Sequence, residues 1–279
     1  MGFSETNAVI MSLDSHYPRF LEFLPETEIV EGKFRLRFAR HAGELDAILK
    51  LRFEIFNLEL HEGLESSFAT GRDEDEFDAA CHHLLVTNTT TNEIAGTYRM
   101  QTLEMAGAVE GFYSFSEFNL SGLPPEMLAQ SVELGRACVA QKYRSKQVLN
   151  LLWRGLAKYL THNRKRYLFG CCSLTSQDPA EGKRVMDYLS AHDYVQRDWQ
   201  IFPHDEYQCY PANDITPEEK PVALPRLMQL YLMIGAKICG PPALDRRFKT
   251  IDFLALFDVQ HLDPRSVKFF FRNENEGLH

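Results

Sequence analysis

The chain has 279 residues, 44% of them apolar and 25% charged, and a formal net charge of -9. This is the composition of an ordinary soluble protein, long enough for one large or two small domains. The acidic balance argues against general nucleic-acid binding, and no apolar run approaches the roughly 18 residues of a membrane-spanning helix.

In chain order, residues 1–33 read as an irregular arm, because Pro18 and Pro25 interrupt any long element. Met1-Gly2-Phe3-Ser4-Glu5-Thr6 formally fits a myristoylation pattern, but one short enough to recur by accident. No basic segment followed by an apolar core opens the chain, so no signal peptide is expected. Phe34 to Arg40 alternates apolar residues with Arg35, Arg37 and Arg40, as a half-buried strand does. Gly43 then opens a helix to about Leu60, with Leu45, Ile48, Leu49, Arg52, Phe53 and Phe56 on one face. Arg52 there either reaches out of the core edge or points its cation into a site. Asp73, Glu74, Asp75 and Glu76 read as a solvated acidic loop, whereas Asp78 leads directly into the next strand.

His83–Val86 and Ile94–Leu103 predict a hairpin around Thr89-Thr90-Thr91-Asn92. Arg99 lies inside its second strand and faces either water or a site. Phe112, Tyr113, Phe115 and Phe118, set between glycine and proline, either clamp a loop to the core or wall an apolar pocket. Ser131 to Leu174 reads as strand, turn, amphipathic helix and strand. Glu133 and Arg136 interrupt the first strand, and Val148, Leu152, Leu156 and Tyr159 follow the helical period. A strand feeding a helix N-terminus is an anion site. Lys142, Arg144, Lys146, Arg154, Lys158, Arg164, Lys165 and Arg166 form a basic island there with no acid between Gln141 and Arg166. Such an island suits a phosphate or an acidic protein.

Pro179 begins a helix to about Ala191, Tyr194–Phe202 is aromatic and strand-like, and Asn213–Pro225 is a polar linker. Leu227–Ile238 is apolar and helical until Gly240-Pro241-Pro242, and Thr250–Val259 is a late strand. The alternation predicts an α/β fold with a mixed, largely antiparallel central sheet flanked by helices. It suggests an arm over 1–33, one domain over 34–279 and a C-terminal extension from about 213. None of the six cysteines forms a CxxC pair, so free buried thiols in a cytoplasmic protein are expected and a zinc site is not.

The stretches RFEIF, DEFDAACHHLLV, GTYRM, ELGRACV with the following YR, and LLWRGL together resemble the bacterial long-chain N-acyltransferases. That family is related to the acyl-homoserine-lactone synthases within the Gcn5-related acetyltransferase (GNAT) superfamily. The similarity is nearest to the hemolysin-like members that form ornithine or glycine lipids, and ICGPPALDRRFKTIDFLALFDV extends it. The resemblance implies a GNAT-like fold and a long-chain (3-hydroxy)acyl thioester donor. It implies that the strand, turn and helix hold the phosphopantetheine arm of acyl carrier protein or coenzyme A, at Gln141, Lys142, Tyr143, Arg144, Ser145, Lys146 and Gln147. It also marks Glu133 and Arg136, Arg52 and Phe56, Asp78, and Arg99 as site positions. Two departures stand out. The donor turn lacks the glycines of acetyl-CoA enzymes, which favours a carrier protein's single phosphate, and its basic character suits an acidic carrier. Cys81 stands where the lactone synthases commonly carry an acid, which weakens a lactone-forming reading.

The implied reaction is attack of an amino acid's α-amine on an acyl thioester, with no covalent nucleophile and no bound cofactor or metal. Glu133 is the first candidate base, Asp78 the second, and His83 a rival whose ordinary pKa suits the task. The pair His82-His83 is otherwise structural. Cys138 has no assigned base beside it. Arg52, Arg99 and Arg136 either bind the acceptor carboxylate or pair with Asp78 and Glu133. Phe112, Tyr113, Phe115 and Phe118, with Trp153, are candidate walls for the acyl chain. The tail Phe269-Phe270-Phe271, beside Lys268 and Arg272, suits either a packed segment or peripheral contact with the inner membrane. The competing readings are an acetyl-CoA-dependent acetyltransferase and a non-catalytic acyl-carrier or lipid-binding module.

Overall fold

Residues 17–109, 111–211, 220–262 and 271 are described by the structure, a computed structural model. The period-2 stretches become strands and the period-3.6 stretches helices. In order these are β1 (Ile29–Glu31), β2 (Phe34–Phe38), α1 (Ala42–Phe53), α2 (Ser67–Thr70), β3 (His82–Asn88) and β4 (Ile94–Thr102). There follow α3 (Leu103–Ala106), β5 (Phe118–Asn119), α4 (Pro125–Ala129), β6 (Ser131–Val139), α5 (Lys146–Asn163) and β7 (Tyr167–Leu174). The chain continues with α6 (Pro179–Ala191), β8 (Phe202–Pro203), α7 (Arg226–Met233), β9 (Lys237–Ile238), β10 (Ala243–Asp245) and β11 (Thr250–Asp258).

Nine strands form one sheet in the order β1-β2-β3-β4-β6-β7-β11-β10, with β9 also against β11. Every pairing in it is antiparallel except β6 with β7, which α5 connects. Leu84 and Val86 pack with Val148, Leu152 and Leu156 of α5, while Leu85 packs with Leu45, Ile48 and Leu49 of α1. Successive strand residues point to opposite faces, so α5 and α1 cover opposite sides of the sheet. Helices α6 and α7 share the α5 side, through Val185, Leu189 and Met228 against Cys172, Ile251 and Phe253. Ser145 caps α5 and Asp178 caps α6, each accepting a bond from a first-turn N–H. Gly155 lets α5 lie against the sheet: a Cβ there would meet Leu84 Cδ2 at 2.6 Å.

Several expectations change. The arm contains β1, which borrows β2 as partner. The first long helix ends at Phe53 and widens into a π-helical turn over Glu54–Glu59. The helix expected to reach Ile238 stops at Met233, because Gly235 takes a φ of 99° and turns the chain into β9. Tyr194–Phe202 is mostly irregular. It pairs through one bridge at Val195 and at its end through β8, so its aromatics reflect packing and not a ladder. β10 escaped notice as too short to carry a period.

Two local features shape the centre of the sheet. The β6–β7 ladder runs only from Ser131↔Tyr167 to Glu133↔Phe169, and beyond it the two strands separate. The register of β6 against β4 shifts between Thr97 and Arg99, so that Arg136 and Ala137 together oppose Tyr98. This is a β-bulge, and Arg136 takes the left-handed conformation at φ 50°.

Candidate active site

The acidic loop expected to be solvated meets water at Glu76 and partly at Glu74, but not at the side chains of Asp73 and Asp75. Asp73 is fully buried, and the Asp75 side chain is 2% exposed. The cause is Arg52, whose position on the α1 face carries its guanidinium into the interior. Burying a lone charge costs several kcal/mol, so carboxylates must follow it. Arg52 Nε and Nη2 donate to Asp73 Oδ1 at 2.8 and 2.5 Å, and Nη1 and Nη2 donate to Asp78 at 2.5 and 3.1 Å. Arg99 is likewise buried and does not face water. Its Nη1 donates to Asp75 at 2.5 Å and to Asp78 at 3.0 Å.

Asp78 therefore accepts from two arginines and from the Asp75 N–H, and lies 3.3 Å from His83 Nε2. Burial pushes its carboxyl up, but the Arg52 and Arg99 guanidiniums outweigh this and hold it well below the usual range. A carboxylate so stabilised is a weak base. His83 is engaged at both nitrogens, by Asp78 and by the Tyr17 hydroxyl at 2.9 Å, and burial lowers its pKa. His82 bonds Tyr159 and the Arg19 carbonyl, and burial pushes it down to about 4. The histidine pair braces the sheet.

Arg136 stands at the edge of this network. Its guanidinium stacks on Phe248 at 3.7 Å and lies 5.6 Å from the Phe56 ring. It approaches Asp73 and Asp75 at 3.5 and 3.8 Å, and its buried Nη2 has no hydrogen-bond partner. Of the three arginines, Arg52 is engaged at all three nitrogens, Arg99 lines a small chamber, and Arg136 has a terminal nitrogen without a hydrogen-bond partner.

That chamber is lined by Cys81, Arg99, Gln101, Tyr113, Glu133, Leu134 and Gly135. Glu133 enters it where β6 leaves β7. The turn at Tyr113–Ser116 holds its carboxylate. Tyr113 N donates to Oε2 at 2.8 Å, while Ser114 N and Oγ donate to Oε1 at 2.7 and 2.6 Å. Burial raises the Glu133 pKa, and the bonds from Ser114 and Tyr113 offset this only in part. Oε2 accepts one of the three bonds and Oε1 two, so one lone-pair direction of Oε2 is left over. Glu133 is thus positioned, basic and beside a cavity, as general-base work requires.

On the α5 side lies a larger apolar cavity, walled by Leu134, Trp153, Gly170, Tyr231, Phe257 and Phe271 among others. Leu134 belongs to both linings, so cavity and chamber flank the same residue of β6, on opposite sides of the sheet, near where β6 and β7 separate. The expected acyl-chain walls divide here. Trp153 lines the cavity, but Phe112 and Phe118 are buried in a core cluster with Phe169, and Phe115 packs against that cluster on the opposite side of the sheet. Tyr113 belongs to the chamber. The four loop aromatics and Trp153 do not share one slot, because α5 and the 103–123 loop cover opposite faces. Phe271 is buried, while Phe269, Phe270, Lys268 and Arg272 lie outside the described residues.

The turn expected to hold the donor also differs from its sequence reading. Gln141–Tyr143 is a 3-10 turn, Ser145 is the helix cap, and Lys146 begins α5. Lys142 pairs with Glu93, Arg144 makes a two-pronged pair with Glu59, and Gln147 donates to the Glu31 carbonyl. Tyr143 is buried and bonds Glu93. Arg154, Lys165 and Arg166 pair with Glu31, Glu104 and Asp258. Much of the basic island is neutralised by carboxylates brought from distant sequence.

Sequence reading missed Gln101, Ser114, Glu117, Cys171, Asp245 and Asp252. Glu117, Asp245 and Asp252 are all buried. The available signal was an acid at an alternating position of an otherwise apolar strand, TIDFLALFD. All six cysteines are free, and no described helix is long and apolar enough to cross a membrane.

This fold and site define an acyltransferase of the GNAT class. Residues 51–154 match the family model described as acetyltransferase (GNAT) domain. Two curated relatives named L-ornithine N(alpha)-acyltransferase are similar over most of their length. That from Brucella abortus is 32% identical over 86% of this chain and 89% of its own, and that from Rhizobium meliloti 31% over 84% and 83%. The chain belongs to this N-acyltransferase family and is an enzyme. A solved acyl-homoserine-lactone synthase, LasI, aligns over 89% of this chain and 98% of its own at 12% identity with a TM-score of 0.47, too distant to carry an argument.

Proposed function

We propose that the chain transfers a long-chain (3-hydroxy)acyl group from acyl carrier protein to the α-amine of ornithine, giving an N-acyl-ornithine lyso-lipid. The observation that supports this reading is the place of Leu134, which lines both an apolar cavity and a chamber holding a positioned, basic carboxylate. The acyl chain lies in the cavity against Trp153, and the thioester carbonyl sits where β6 parts from β7.

Ornithine's α-ammonium gives a proton to Glu133, directly or through water. The freed amine attacks the thioester carbon, the C–S bond breaks, and the departing thiolate takes up a proton. The bulge at Arg136 and Ala137 takes backbone groups out of the β4 ladder at this point, and an N–H there can meet the developing oxyanion. Arg136, with its spare donor, and Arg99 receive the acceptor carboxylate, while Phe56 and Phe248 hold Arg136 in place. Arg52, Asp73 and Asp78 serve as the buried frame. Ornithine is favoured as acceptor by the named activity of the relatives. A carrier-protein donor is favoured by the glycine-poor turn Gln141–Gln147, which suits one phosphate better than a pyrophosphate.

The test is purified protein with ornithine and an acyl group of one length presented on acyl carrier protein or on coenzyme A, with products weighed by mass spectrometry. N-acyl-ornithine formed faster from the carrier protein is the expected result. Equal or better use of acyl-coenzyme A overturns the donor assignment, and no acylated ornithine from either donor overturns the function.

A further inference from the structure

Beyond Glu133, the same side of the sheet carries acids that the reaction has not used. Glu133, Phe169, Cys171, Leu254 and Asp252 share one face, since Glu133 opposes Phe169, Cys171 opposes Leu254 and Asp252 opposes Ser173. Glu117 comes down onto this face from the loop above. Its carboxylate, the Cys171 thiol and the Asp252 carboxylate converge, with one ligand atom from each lying within 4.8 Å of the others. Glu117 Oε1 and Asp252 Oδ1 are buried without a hydrogen-bond partner, in side chains 1% and 2% exposed. Among the described residues no lysine or arginine forms an ion pair with either acid. The neighbouring Asp245 is different. It accepts from Arg247 N at 2.7 Å, Phe248 N at 3.1 Å and the Tyr113 hydroxyl at 3.1 Å, and so is held as part of a turn.

Two buried acids with unpartnered oxygens need either a proton or a cation. Burial, then the charges of Asp252 and Asp245, push the Glu117 carboxyl well above its usual range. Burial chiefly raises Asp252 to about 6. A short chain of contacts joins this pair to the Glu133 chamber: Glu133 Oε1 to Ser114 Oγ at 2.6 Å, Ser114 Oγ to Cys171 Sγ at 3.7 Å, and Cys171 Sγ to Glu117 Oε2 at 3.7 Å. These contacts place Glu117 no more than about 10 Å from Glu133, within the span of a diamino acid that makes a hydrogen bond at each amine. In the chamber, Gln101 supplies another buried acceptor, its Oε1, with no donor of its own.

We propose that Glu117 and Asp252 form the specificity pocket for the side-chain ammonium of a diamino-acid acceptor, whose α-amine is presented to Glu133. The inference rests on the proposed use of ornithine and adds the residues that choose it over monoamino acids. Binding exchanges the proton held by the acid pair for the ligand's ammonium, so the proton leaves to solvent and charge balances. A divalent metal is the weaker occupant of the same acids. It would require the Cys171 thiolate, and burial pushes that thiol well up.

The experiment compares ornithine with norvaline, its analogue lacking the side-chain amine, in the wild type, Glu117→Gln and Asp252→Asn. Losing a charge-assisted hydrogen bond should lower the ornithine-to-norvaline ratio of kcat/KM by about tenfold or more in each variant, chiefly through KM for ornithine. A wild type that prefers ornithine, with variants that keep the ratio, overturns the pocket and leaves the acceptor reading intact. A wild type that acylates norvaline as well as ornithine overturns the acceptor reading itself. Should neither variant fold, the wild type still decides. Ornithine binding near neutral pH should release a proton to an indicator dye and norvaline binding should not, and equal release overturns the pocket. Activity abolished by chelator and restored by a divalent metal would also overturn it, by giving the acids to a metal.

Discussion

Replacing Glu133 by Gln separates its two duties, as base and as a strut between β6 and the Tyr113–Ser116 turn. The carboxylate accepts from Tyr113 N, Ser114 N and Ser114 Oγ at 2.8, 2.7 and 2.6 Å. A glutamine has one acceptor oxygen, so its amide nitrogen must confront one of these N–H donors, while the Ser114 hydroxyl can rotate away. One charge-assisted bond lost amounts to about 1.5–3 kcal/mol, partly offset because a buried charge is no longer required. A net loss of about 1–2 kcal/mol should lower Tm by a few degrees. The chemical step should lose far more, about a hundredfold or greater, as for removal of a general base. The assay is acyl transfer at saturating substrates across pH, beside thermal melts. In the wild type the rate should rise as Glu133 ionises, at a pH above the ordinary glutamate range, and in the variant that limb should vanish. Stability runs the other way. Because the folded state holds the Glu133 proton more tightly than the unfolded chain, its ionisation removes stability as pH rises from the ordinary to the raised pKa. A variant within about threefold of the wild-type rate and with its acid limb intact would show that Glu133 is not the base.

Three other outcomes are expected. Arg52→Met leaves Asp73 and Asp78 buried without their main cation and should destabilise by about 3–5 kcal/mol, read from urea unfolding. Asp78→Asn should flatten the acid side of the stability curve. The depressed pKa of Asp78 contributes stability that is present above the ordinary aspartate range and lost as pH falls through the folded value, so the gap in Tm between wild type and variant should close in strong acid. In Gly170→Ala the new Cβ would lie 2.2 Å from the Leu134 carbonyl oxygen, forcing β6 and β7 apart, so a loss of about 1–3 kcal/mol and a raised KM for the acyl thioester are expected from melts and kinetics.

The strand, turn, helix and strand from Ser131 to Leu174 were legible because the strands and the helix run long enough to show their periods. Val148, Leu152, Leu156 and Tyr159 are all buried, as their spacing required. Glu133 was legible as an acid in an apolar strand. The turn at Gln141–Gln147 was legible as a basic break between strand and helix, but its charge was misread. Glu93, Glu59 and Glu31, which neutralise its neighbourhood, are far away in sequence and reach it only through the fold. The loop aromatics and Trp153 were grouped together because nothing in the sequence marks which side of the sheet each covers.

Local sterics and hydrophobic period act over a few residues, so they wrote the strands, the helices and the α/β class into the chain. The pairing of charges is settled over tens of ångströms of folded chain. Asp73 and Asp75 read as a water-facing run until Arg52, Arg99 and Arg136 from three separate elements converge on them. A buried cation requires nearby carboxylates whatever their sequence neighbours suggest. The placing of cavity and chamber about Leu134, and of Glu117 beside Asp252, likewise exists only once β6, β7 and β11 stand side by side.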